Sequence, residues 1–321
     1  MRQAECYSSH KWGKTKMKEE KRTVGNLIRA VREKKKISRE KLSWGICSSA
    51  TLMRYEQGER IPDKFTADAL LERMGIVPYR YEFITSDQEF QYRMLRDRIE
   101  KLQKIDTKEA LLSIEQYERQ TGKKERLHNQ YIWAKRAEIA AEQQRYSEAE
   151  ELFGRALAYT GINEVYDAEL GAGFFSACEM RCLYGLAEVI FLQGDKSRAY
   201  CLYEILKRNL EEHPWDAEKR REYYPHILYR LAGQEMERNN KGTAYQYLTE
   251  AKSLLVENYQ ITHLGEICEL LQRLQREMNE SGQDGELDDF ITALKILEAG
   301  KSGEITEEGL RLWENTARRQ L

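Results

Sequence analysis

The chain has 321 residues, 41% of them hydrophobic and 33% charged, with a net charge of −2 and only six cysteines. Its length exceeds one ordinary domain of roughly 150 residues and suggests two. No run approaches the ~20 apolar residues of a membrane span, no N-terminal apolar stretch reads as a secretion signal, and the cysteines are too sparse for a disulfide framework, so the expected place is the cytoplasm.

The charge is unevenly spread along the chain. Residues 1–80 hold 19 Lys+Arg against 10 Asp+Glu, a balance of +9 that leaves −11 for the rest. A basic head on an acidic body makes the head the expected phosphate-binding part. Residues 1–19 carry a basic run and no pattern. They read as a disordered tail, or as sequence upstream of a true start at Met17.

The head follows at about residues 20–78. Val24, Leu27, Ile28 and Val31 form a helical stripe. Ser38 is placed to cap a short helix from Arg39 to Trp44, and Gly45-Ile46-Cys47 makes a tight turn. Ser48 caps the next helix, about Ser49–Gln57, which Gly58 ends. After Pro62 a further helix runs from Phe65 to Met74 and stops at Gly75. Leu27, Ile28, Val31, Leu42, Leu52 and Leu70 supply one small core, the arrangement of a helix-turn-helix domain.

The run Val24-Gly25, Arg32, Ile37 to Leu42, Leu52 to Gly58 and Pro62 resembles the Xre/Cro-type helix-turn-helix. Its short Gly-Ile-Cys-Ser turn is similar to the variant in the RRNPP (PlcR/Rgg-type) peptide-pheromone regulators of Gram-positive bacteria. Two residues depart from the pattern: Lys36 stands where the family usually has Gly, and Arg39 where it has Gln. The resemblance implies that the third helix enters the major groove of double-stranded DNA, with Ser48, Ser49, Ala50 and Thr51 at base edges. These small residues offer no bidentate fork, so base discrimination from them alone is modest. Arg39, Lys41 and Arg54 are then the expected phosphate contacts or guanine readers. Arg32 and Glu56 match a family pair that ties the first helix to the third.

Residues 87–280 read as successive amphipathic helices. Ala149, Phe153 and Ala156 resemble the second half of a tetratricopeptide repeat (TPR). The same frame recurs at Ala199-Tyr203-Leu206 and Ala244-Leu248-Ala251, and more weakly at Ala110-Ile114-Tyr117, with spacings of 39, 50 and 45 residues. Stacked hairpins of this kind make an α-solenoid with a concave face. The frame predicts that Tyr92, Tyr131, Arg181, Tyr184, His226 and Tyr229 face that hollow, with Glu138, Glu188 and Glu237 one turn later. Rigid aromatics with polar tips suit an extended peptide, and the glutamates a cationic or N-terminal group. Two last helices are expected within 286–321, as a cap or a dimer contact.

No phosphate loop, dinucleotide fingerprint or His-Glu-x-x-His site is present. Cys178, Cys182 and Cys201 lack a partner histidine and read as packing. The expectation is therefore an all-α DNA-binding transcription regulator, neither an enzyme nor a metalloprotein, without a cofactor. It acts as a homodimer whose TPR-like body binds a short signalling peptide, as in quorum sensing. The alternative is a DNA-tethered adaptor whose repeat groove holds a partner protein.

Overall fold

The computed structural model describes residues 23–278, apart from 77, 79–86, 122–124, 167–172, 213–216 and 259. The tail expected at 1–19 and the helices expected within 286–321 lie outside these residues. The described residues are helical, without strands, and none of their helices is long and apolar enough to cross a membrane.

The head contains α1 (Val24–Lys34), α2 (Arg39–Ser43), α3 (Ser49–Glu56) and α4 (Lys64–Arg73). Each begins at a capping side chain. Thr23, Ser38, Ser48 and Asp63 accept from the amides of Asn26, Lys41, Thr51 and Thr66, supplying donors that the first turn leaves unsatisfied. Ile28, Leu42, Leu52 and Leu70 are fully buried, while Leu27 and Val31 pack at the core's edge.

Helices α1, α3 and α4 end the same way. Lys36, Gly58 and Gly75 adopt left-handed φ of 54°, 73° and 68°. The following amides, on Ile37, Glu59 and Ile76, return to the carbonyls of Arg32, Arg54 and Leu71. This is a Schellman closure, which favours glycine at the left-handed residue. Lys36 takes that conformation with a side chain, at a steric cost. Lys36→Gly is therefore expected to stabilise the head by about 0.5–1 kcal/mol, the relieved strain exceeding glycine's entropic cost. A melting temperature that falls in thermal unfolding would refute this.

The body stacks hairpins in chain order. They are α5 (Asp87–Gln103) with α6 (Thr107–Thr121), α7 (Arg126–Glu142) with α8 (Tyr146–Ala158), α9 (Ala177–Leu192) with α10 (Lys196–Glu212), and α11 (Ala217–Glu237) with α12 (Lys241–Glu257); α13 (Leu264–Glu277) follows. All twelve frame residues, from Ala110 to Ala251, are at most 1% exposed. Small alanines at the crossings let neighbouring helices approach closely. Three of the hairpin turns are alike: Gln144, Gly194 and Asn239 are left-handed, each five residues before a frame alanine. The amides of Arg145, Asp195 and Asn240 close back on Ala140, Ile190 and Glu235. The recurring frame is thus a recurring turn as well as a recurring core.

Candidate DNA-binding and ligand-binding surfaces

On α3, Leu52, Tyr55 and Glu56 face inward. Ser48, Ala50 and Arg54 lie exposed, and Ser49 and Thr51 half-exposed, on the opposite edge. Ser48 Oγ accepts from the Thr51 amide at 3.0 Å and lies 2.8 Å from Thr51 Oγ1. Two of the small hydroxyls thus hold the helix start in shape. Arg54 projects into solvent.

Arg39 has a more fixed position than a surface cation. Its Nε donates to Glu56 Oε2 at 2.7 Å, while Arg32 Nε donates to Glu56 Oε1 at 2.5 Å. The expected Arg32–Glu56 tie is present, and Arg39 joins it. Burial works against the Glu56 charge, but hydrogen bonds from both arginines hold its carboxyl below the usual range. Lys41 is exposed, yet its Nζ sits 4.6 Å above the ring of Phe174, a body residue.

The head is docked on the body. Arg73, at the end of α4, meets Glu179 in the first turn of α9, with side chains 1% and 0% exposed. The turn between α2 and α3 abuts the loop after α8: a Cβ at Gly45 would lie 1.9 Å from the Thr160 carbonyl oxygen, and one at Gly161 would meet the Trp44 ring at 3.4 Å. Leu127 and Phe174 complete the head's core. On the other side, Phe65 packs against His128 and Tyr131, beside a polar cavity of about 540 Å³ between the 60–65 connector, α5 and α7.

That junction reassigns two of the tyrosines expected in the hollow. Tyr92 lines the cavity, donates to the Gln120 carbonyl at 3.0 Å and meets the His128 ring. Tyr131 is 6% exposed, enclosed by Phe65 and Tyr117, and has no face left for a ligand. Docking of the head covers the proximal end of the strip, which repeat spacing cannot register.

The remaining predicted residues do converge, on the inward faces of α7, α9 and α11. Arg181 Nη1 donates to Glu100 at 3.1 Å and its Nε lies 3.7 Å from Glu138. Lys135, buried, donates to both Glu100 and Glu138 at 2.7 Å. Further along, Arg230 donates to Glu188 at 2.7 and 3.1 Å, and Tyr203 adds a third bond at 2.6 Å. Burial opposes the Glu188 charge, but Arg230 and Tyr203 hold its carboxyl below the ordinary value. Glu237 pairs with Lys196. Each glutamate expected to receive a ligand cation is therefore already neutralised by a neighbouring helix. Lys135, three residues before Glu138 on α7, was the signal legible along one helix; Arg181 and Arg230 reach Glu138 and Glu188 from other helices, which a single-helix reading passes over.

Tyr184 lies half-buried against the Tyr223 ring, at 5.3 Å. Tyr229 stacks on His263 at 5.1 Å and donates to Glu266 at 2.5 Å. Burial, together with nearby His263, pushes His226 down to about 4, so its imidazole is neutral at pH 7. His226 Nδ1 and Gln234 Oε1 are buried polar atoms with no hydrogen-bond partner among the described residues. Such atoms are costly unless something else completes them.

No family model matches the chain, and no curated protein matches it. Among solved structures it is similar to PlcR of Bacillus thuringiensis, in complex with the peptide PapR7 and DNA. That likeness has a TM-score of 0.50 at 14% identity and covers 87% of this chain and 98% of the PlcR chain. At this identity the likeness is one of fold: a helix-turn-helix head followed by a helical solenoid.

Proposed function

We propose that this chain is a sequence-specific DNA-binding transcription regulator whose solenoid binds a short extended peptide on its concave face and thereby controls DNA binding. It is a binding protein and not an enzyme, and it works as a homodimer on two related half-sites. The observation that carries this reading is the open edge of α3. Ser48, Ala50 and Arg54 stay exposed although α4 and the turn before α3 are docked against the body. The shared fold with PlcR, solved with a peptide and DNA, supports both halves of the proposal. The unpartnered atoms of His226 and Gln234 support an amide-rich ligand, because an extended peptide backbone offers both donors and acceptors.

Selection from a random duplex pool tests the DNA half. Enrichment of a two-fold symmetric motif is expected, and no enrichment over input sinks it. Arg54→Ala should lower the slope of log affinity against log salt by about 0.9 per protomer, hence about 1.8 for a dimer on two half-sites, the loss of one phosphate contact in each head; an unchanged slope with one relaxed base position in each half-site would make Arg54 a base reader instead.

Mass spectrometry of what the full chain retains from a pooled library of short synthetic peptides tests the other half. Retention of a small related set is expected. The Tyr184→Ala/Tyr229→Ala variant should lose it at least about tenfold, as removal of two aromatic anchors predicts. Equal retention by both proteins would place the ligand elsewhere.

A further inference from the structure

Helix α9 belongs to the DNA-binding head and to the concave face at once. Glu179 in its first turn accepts from Arg73 Nη2 at 2.6 Å and from Nε at 3.3 Å. Arg73 Nη1 also donates to the carbonyls of Leu42 at 3.1 Å and Trp44 at 2.5 Å. Glu179 further accepts from the Ser176 amide at 2.7 Å, and Glu72 from the Ala177 amide at 2.9 Å. The amino end of α9 is thereby clasped to α4 and to the turn before α3. Two residues beyond Glu179 the concave face begins, with Arg181, Tyr184 and Glu188 on this same helix.

From Glu179 to Glu188 the helix rises ~13.5 Å, and it contains no proline to bend it. A displacement at one end is therefore carried to the other. The two charges on its inward face are held from other helices, Arg181 by Glu100 and Glu138, Glu188 by Arg230. The position of α9 thus depends on pairings that an occupant of the hollow can exchange.

We infer that α9 is the element that transmits occupancy of the concave face to the head, with Arg73–Glu179 as the coupling. This rests on the reading of that face as a ligand site. A ligand that re-pairs Arg181 or Glu188 binds two positions of α9 with different affinity, which is the condition for moving an equilibrium. The edge of α3 is open in the clasped state, so the signal is a change in the head's orientation and not its uncovering.

Hydrogen exchange on the full chain tests this without a ligand. Glu179→Gln keeps the shape and weakens the clasp; exchange at residues 42–46 and 72–76 should rise about tenfold, with α11 and α12 unchanged. Arg181→Met, which releases the groove pairing, should change the same head amides about threefold in the otherwise native chain. In the Glu179→Gln background that effect should vanish, because coupled sites are non-additive. If Glu179→Gln unfolds the head, Trp44→Ala, at a half-exposed ring, serves as the milder lesion and must show the same non-additivity. Head amides that ignore Arg181→Met, or an equal response in both backgrounds, overturn the inference. The peptide selection is read separately: its failure removes the ligand, whereas an unmoved head removes the coupling.

Discussion

Gly25→Ala is expected to unfold the helix-turn-helix head while leaving the solenoid folded. Helix α1 crosses α3 so closely that a Cβ at Gly25 would stand 1.8 Å from the Tyr55 carbonyl oxygen and 2.7 Å from its carbon. Both are backbone atoms, so no rotamer can yield. The methyl group must push α1 away from α3, separating Val24 and Ile28 from Leu52 and stretching the bonds of Arg32 to Glu56. Overpacking of this kind against an immovable neighbour costs about 3 kcal/mol or more. That is a large part of what a small domain has to lose. Calorimetry should show an early head transition ahead of an unshifted body transition, and DNA binding should disappear above it. One transition at the native temperature would mean that α1 and α3 adjust without cost.

Arg73→Met should be of similar size and opposite in character, because it breaks the seam between the two parts and spares both cores. Glu179 is fully buried and Arg73 is its ion-pair partner there. Removing one member of a buried pair leaves the other charge out of water without compensation, at about 3–5 kcal/mol. The Leu42 and Trp44 carbonyls lose a donor as well. Limited proteolysis should then cut at the head–body seam while the isolated hairpins stay resistant. If the variant melts as the native chain does and resists cleavage equally, the seam is held by Gly45, Trp44 and Phe174 and not by charge.

The two expected results differ in how far they were foreseeable. Gly25 belongs to the run that carries the resemblance to Xre/Cro-type heads. The ends of the head's helices were equally legible: caps at Ser38 and Ser48, a stop at Gly58, a last helix ending near Gly75. These are local matters, decided by a side chain three residues from an amide or by a residue able to take positive φ. The repeating frame of the body was legible for the same reason, since helix crossings that need alanine recur at fixed offsets from the turn.

Local order in the chain thus determined the all-helical class, the head with its capped helices, and the hairpins with their buried frame. The tertiary structure alone decided what lies between them. Arg73 and Glu179 are 106 residues apart, and no periodicity links them. The same docking enclosed Tyr131, turned Tyr92 toward the junction, and set Lys41 over Phe174. Pairing across neighbouring helices set Arg181 against Glu138, Arg230 against Glu188 and Lys196 against Glu237, partners that no spacing along one helix reveals. A side chain's spacing along one helix sets which face it occupies; whether that face meets solvent, a ligand or an opposite charge depends on chain segments far away in sequence, whose approach is fixed only when the whole core closes.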